Sequence, residues 1–143
     1  MPEAQRTILI DRPAGTVFAF FADPANDQKW RPHLKEIAAP DPITVGTTIR
    51  QVVAGPGGRG IPADMEVTAY EPPTRDAFKV TAGPARPVGE YRFTTSGNTT
   101  EVTFTLRAEL SGIKKVLMSK PVQNSMNGEM AALDTAKALI ESM

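Results

Sequence analysis

The segment from Lys120 to Met143 constrains the fold more than any other. On a helical wheel of about 100° per residue, Val122, Met126, Met130, Leu133 and Ile140 share one stripe, widened by Ala132, Ala136 and Leu139. The spacing is that of a helix and not the alternation of a strand. Gln123, Asn124, Asn127, Asp134 and Glu141 fall opposite. The segment predicts an amphipathic helix of about 22 residues, roughly 33 Å long. Such a rod needs apolar partner surface along its length. Ser125 and Glu129 interrupt its stripe one turn apart, in line with Ala132 and Ala136. A carboxylate in a row of small and apolar side chains is the most informative local feature of the chain.

Strands supply the partner surface. Arg6 to Asp11 reads as a strand with Ile8 and Ile10 on one face. Pro13 opens a short helix, Ala14 to Ala22, carrying Val17, Phe18, Phe20 and Phe21. Asp23-Pro24 ends it, and Asp23 is placed to cap a second short helix through about Lys29. Strands are expected at Leu34 to Ala39, Thr47 to Ala54, Ile61 to Tyr70, Ala77 to Ala82, Val88 to Thr95 and Thr100 to Leu110. The last alternates most cleanly, with Val102, Phe104, Leu106, Ala108 and Leu110 on one side. Ser96-Gly97-Asn98 is a hairpin turn. Ile113 to Met118 is expected as an extra helical turn, kinked or separated from the main helix by Pro121. A strand, two short helices, about six antiparallel strands and one long helix make an α+β fold. A meander with one apolar face suits the order, and the sheet must curl its apolar side around the helix.

Composition narrows the function classes. At 143 residues the chain is expected to form one domain, 1–143. Its formal charge is zero, so no global electrostatic footprint points to nucleic acid. Cysteine is absent, which removes disulfides, thiol chemistry and the soft ligands of most structural zinc sites. No apolar run approaches the roughly 20 residues of a membrane span, and the start MPEAQRT has no signal-peptide pattern. A cytoplasmic protein without integral membrane association is expected. Gly55-Pro56-Gly57-Gly58-Arg59-Gly60 formally satisfies GxGxxG, but a strand and not a helix follows it, so the dinucleotide reading is rejected.

The stretch from Ile8 to Pro32, ILIDRPAGTVFAFFADPANDQKWRP, resembles the opening of the START-like (SRPBCC) superfamily. The similar elements are the strand ending near Pro13-Ala14, then Val17-Phe18, Asp23-Pro24 and Trp30-Arg31-Pro32. Val45-Gly46 and the Tyr70-Glu71-Pro72-Pro73 corner are similar too. This helix-grip fold is shared by polyketide cyclase/dehydrase-like proteins, lipid-transfer domains and the birch-pollen allergen group. The resemblance covers essentially the whole chain in element order. It implies a curved sheet of about seven strands gripping the C-terminal helix, with a cavity for a hydrophobic ligand between them.

If that cavity exists, the helix stripe is its roof. Met126, Glu129, Met130 and Leu133 would then face the ligand, with Tyr91, Phe93 and Phe104 from the sheet and Trp30 at the entrance. Methionines suit an adaptable apolar pocket. Tyr91 shares a parity with Phe93, so its hydroxyl needs an interior partner, for which Glu129 is one candidate. Glu129 is the candidate polar anchor or general acid; the competing reading leaves it solvated at the mouth or paired with a sheet arginine. His33, the sole histidine, is a weaker catalytic candidate, since a lone loop histidine is more often a surface residue. No metal and no cofactor is expected. The expected partner is a small hydrophobic or amphipathic molecule, a polyketide-like aromatic or a lipid. The alternatives are a polyketide cyclase or dehydratase moving a proton with Glu129 or His33, and an interaction module whose cavity is filled. The chain is expected to be a monomer or homodimer.

Overall fold

The computed structural model describes residues 1–143, the side chain of Pro56 excepted. Its elements in chain order are β1 (Glu3–Ile10), α1 (Ala14–Ala22), a 3-10 turn (Pro24–Asn26), α2 (Asp27–Trp30), β2 (Leu34–Ala38) and β3 (Thr48–Ala54). A 3-10 turn at Pro56–Gly58 leads to β4 (Gly60–Pro62), followed by β5 (Met65–Glu71), β6 (Arg75–Val80), β7 (Val88–Ser96), β8 (Thr99–Arg107) and α3 (Gly112–Glu141).

The antiparallel sheet runs β1-β8-β7-β6-β5-β3-β2, with β4 paired to β3 off this path. The meander from β5 to β8 is local, and β1 closes onto β8 from the far end of the sequence. That pairing runs from Glu3 opposite Arg107 to Ile10 opposite Thr100. The first residues of β1, Glu3-Ala4-Gln5, carry no apolar alternation, so the ladder and not the pattern makes them a strand.

The expected strand Ile61 to Tyr70 is two strands. β3 pairs with β4 through Val52–Ala54 and with β5 through Thr48 and Ile49. The Ala63-Asp64 step between them is held in place by polar contacts. Asp64 accepts a hydrogen bond from the Gln51 amide through its side chain and from the Thr81 amide through its carbonyl. One strand thus serves two partners, and the sheet bends there.

Of the two outcomes expected at Pro121, a kink or a separation, the separation is absent: α3 is a single helix of 30 residues with Pro121 inside it. The ring removes one backbone donor. Residues on its N-terminal side, Ile113, Val116 and Leu117, are exposed, so that part of the helix overhangs the sheet and does not pack on it. The C-terminal part is gripped. Leu133, Ala136 and Ile140 are fully buried against Ile10, Val17 and Val102. Arg6 donates to the Met130 carbonyl and to Asp134, tying α3 to β1.

Asp23 caps the turn after α1 by accepting from the Ala25 amide at 3.0 Å. This fixes the entry into α2, whose last turn presents Arg31. No helix of the described residues is long and apolar enough to cross a membrane.

Candidate functional site

Two apolar clusters form under the sheet. One joins α1, α3, β1, β7 and β8; the other consists of Ile49, Met65, Val67 and Val80. Between them lies a cavity of about 600 Å³ lined by members of both. That volume is within the range of small-molecule sites, roughly 300–1,000 Å³. The exposed residues that line it, among them Pro84, Arg86, Leu117 and Pro121, mark where it reaches the surface. The interior wall is apolar, with Phe78, Phe104, Leu106, Val122 and Met126 among its members.

Five elements bring polar groups to this wall: Asp27 and Arg31 from α2 and its C-terminal cap, Gln51 from β3, Asp76 from β6, Tyr91 from β7 and Glu129 from α3. The Arg31 guanidinium joins three of the others. Its Nε donates to Glu129 Oε2 at 3.0 Å and its Nη2 to Glu129 Oε1 at 3.2 Å. Its Nη1 donates to Asp27 Oδ2 at 3.2 Å and to Gln51 Oε1 at 3.1 Å. Burial opposes the Arg31 charge, but Glu129 and Asp27 outweigh it and hold the guanidinium more firmly protonated than usual. Burial pushes Asp27 up to about 6 while the charge and hydrogen bond of Arg31 pull it down.

Asp76 and Tyr91 are different. Neither the Asp76 carboxylate nor the Tyr91 hydroxyl has a hydrogen-bond partner among the described residues. Burial, with the Asp27 charge adding to it, pushes Asp76 up to about 7. Burial and then Asp27 raise the Tyr91 phenol well above its usual range, so it is a neutral donor. The register places Asp76 between Tyr70 on β5 and Tyr91 on β7. Tyr91 is fixed by Phe104, stacked on it at a centroid distance of 4.1 Å.

Of the residues expected at the site, the structure brings Tyr91, Phe104, Met126 and Glu129 to the cavity. It places Trp30, Phe93, Met130 and Leu133 in the closed core instead. Trp30 and Phe93 pack against Phe21, which stands between them and the hollow, and the Trp30 indole N–H is buried with no partner. Met130 and Leu133 lie on the part of α3 that seats on the core. Glu129 is not an isolated carboxylate, since its oxygens are taken by Arg31 and not by Tyr91. His33 is exposed and lies against Gly128 of α3, outside the cavity.

A family model described as polyketide cyclase / dehydrase and lipid transport matches residues 1–139. The chain belongs to this family. No curated protein matches its sequence. Solved structures share the fold. A Thermus thermophilus protein has a TM-score of 0.81 at 21% identity, over 99% of this chain and 98% of that one. The Zhui aromatase/cyclase from a Streptomyces species gives 0.76 at 15% identity, over 97% and 93%. A START superfamily protein from Mycobacterium smegmatis gives 0.76 at 16%, over 98% and 97%. The helix-grip architecture of this polyketide cyclase / dehydrase family member is therefore shared.

Two of the polar groups on the cavity wall carried a usable signal. Gln51 shares a parity with Ile49 and Val53, and Asp76 with Phe78 and Val80, so each is a polar residue on an apolar strand face. Starting β6 at Ala77, two residues too late, hid Asp76. Arg31 stood in the Trp30-Arg31-Pro32 motif, but nothing in its spacing shows that it reaches under α3.

Proposed function

We propose that the protein binds one small hydrophobic or amphipathic molecule, a polyketide-like aromatic or a lipid, in the cavity between α3 and the sheet. The observation that carries this is the cavity itself: about 600 Å³, walled by apolar side chains, with a cluster of polar groups set into the wall. Removing apolar ligand surface from water supplies affinity at about 25 cal/mol per Å². The polar groups orient the ligand.

The test is native mass spectrometry of the purified protein for a co-purifying small molecule, with a fluorescence titration using the neutral probe N-phenyl-1-naphthylamine. Saturable one-to-one binding is expected. Met126→Trp, which pushes bulk into the hollow, is expected to abolish it. An absence of saturable binding, or binding untouched by Met126→Trp, counts against the reading.

One observation favours a second reading, a cyclase or dehydratase acting on a polyketide-type substrate. Asp76 is a cavity carboxyl pushed up to about 7, where it can both give and take a proton. The shared fold of the Zhui aromatase/cyclase supports it at the level of fold. Under this reading Asp76, and not Glu129 or His33, moves the proton, and turnover would fall with loss of its carboxyl in Asp76→Asn.

A further inference from the structure

The charged residues lining the cavity are Asp27, Arg31, Asp76, Arg86 and Glu129. Arg86 is exposed and sits on the 82–87 segment at the rim. In the interior that leaves three carboxylates and one guanidinium. Arg31 gives its Nε and one Nη2 hydrogen to Glu129 and its Nη1 to Asp27 and Gln51, and its side chain is only 10% exposed. Two carboxylates already meet its charge, so an incoming anion finds one spare Nη2 hydrogen but no uncompensated positive charge. Among the described residues Gln51 keeps its side-chain NH2 unpartnered, and the two interior groups with no hydrogen bond at all are the Asp76 carboxylate and the Tyr91 hydroxyl, cross-strand neighbours on β6 and β7. Both line the hollow.

A ligand that fills the cavity brings its polar end against these two groups. A carboxylate or phosphate there meets the Asp76 carboxylate with the Asp27 charge adding to it, while the one interior guanidinium is already neutralised by two carboxylates. A hydroxyl or phenol donates to Asp76 and accepts from Tyr91, satisfying both at once. We propose that the cavity selects amphiphiles whose polar end is an uncharged hydrogen-bond donor, a hydroxyl or phenol, and rejects anionic ones, with Asp76 as the selecting residue. This rests on the ligand-binding reading above and specifies the chemical class of its ligand.

The selection is a difference between two ligands and is measured as one. The titratable groups coupled to Asp76 are Asp27, Tyr70 and Tyr91, and Arg31 and Glu129 line the same cavity. At pH 8 Asp76, pushed up to about 7, is mostly ionised, as is Asp27, but Asp27 is paired with Arg31 and Asp76 is not. Fluorescence titrations at pH 8 would use 1-pyrenebutanol and 1-pyrenebutyrate, which share body and chain and differ in the polar end. The wild-type protein is expected to bind the alcohol at least tenfold more tightly. Part of that preference belongs to any apolar hollow, because an anion loses more hydration on entry. The share due to Asp76 is read in Asp76→Asn, which keeps the shape, removes the charge and adds a donor. The alcohol-to-acid ratio is expected to fall by tenfold or more in that variant, chiefly because the acid binds better. An acid that binds wild type as tightly as the alcohol overturns the headgroup preference alone. So does a ratio unchanged in Asp76→Asn. If neither probe binds saturably, the ligand-binding reading falls and this inference with it.

Discussion

Asp76 sets a pH dependence on the stability of the fold. Its carboxyl is pushed up to about 7 by burial, from an ordinary value near 3.8. The folded state therefore holds this proton more tightly than the unfolded chain. The stabilisation is complete below about pH 4 and is lost as pH rises through about 7. Asp27, pushed up to about 6, acts in the same direction over a narrower window. Asp76→Asn is expected to flatten most of the fall in urea-unfolding free energy between pH 4 and 8. At pH 8 it should exceed wild type by on the order of 2–4 kcal/mol. Gly89 carries a second consequence at this scale. It stands opposite Phe78 in the β6–β7 ladder, and a Cβ there would lie 2.3 Å from the Phe78 ring. Gly89→Ala is expected to swing that ring into the hollow, weaken N-phenyl-1-naphthylamine binding several-fold and cost about 1–3 kcal/mol of stability. Gly89 is one glycine among 11, and its role depends on a register that no local pattern specifies.

At the scale of elements, Arg31 acts as a clamp. It sits at the C-terminal cap of α2 and binds α2 to α3 through Glu129 and to β3 through Gln51. Removing it strands two buried carboxylates. Arg31→Met is expected to cost about 3–5 kcal/mol at pH 8. At pH 5 the loss should be smaller, because Asp27 then takes up a proton. Restoring neutrality with Asp27→Asn and Glu129→Gln in the same chain should recover most of the loss, and urea titrations of the three proteins check this. The helices themselves were legible. Ala14–Ala22 was bounded by Pro13 and Asp23, and the seated part of α3 by its apolar stripe. The continuity of α3 through Pro121 was not, because a proline inside a helix costs one donor and the local sequence does not show whether its neighbours tolerate that. The split of Ile61–Tyr70 was equally hidden. Both halves keep strand alternation, and only the pairing of β3 with two partners separates them.

For the whole molecule, the order of elements and the resemblance carried by Ile8 to Pro32, Val45-Gly46 and the Tyr70–Pro73 corner pointed to the architecture, and the family match over residues 1–139 bears this out. The hollow was not readable from residues alone. Its volume is the difference between the space under a curved sheet and the volume of the side chains that point into it, and neither is a local quantity. A prediction at this scale separates folding from filling. Met126→Trp, although it blocks the cavity, is expected to unfold within about 1 kcal/mol of wild type or at higher urea, since added bulk meets empty space and not packed neighbours.

The walls of that hollow have a bearing beyond recognition. Ile49, Met65, Val67 and Val80 are almost wholly buried, and they line the hollow with the little surface they keep. Under the proposed function an occupant completes the burial and binds only the native chain. Mass action then adds about 2.7 kcal/mol when its concentration reaches a hundred times its dissociation constant. Proteolysis in a cell draws on the unfolded fraction, so the lifetime of this protein would lengthen when its cargo is plentiful and shorten when it is scarce.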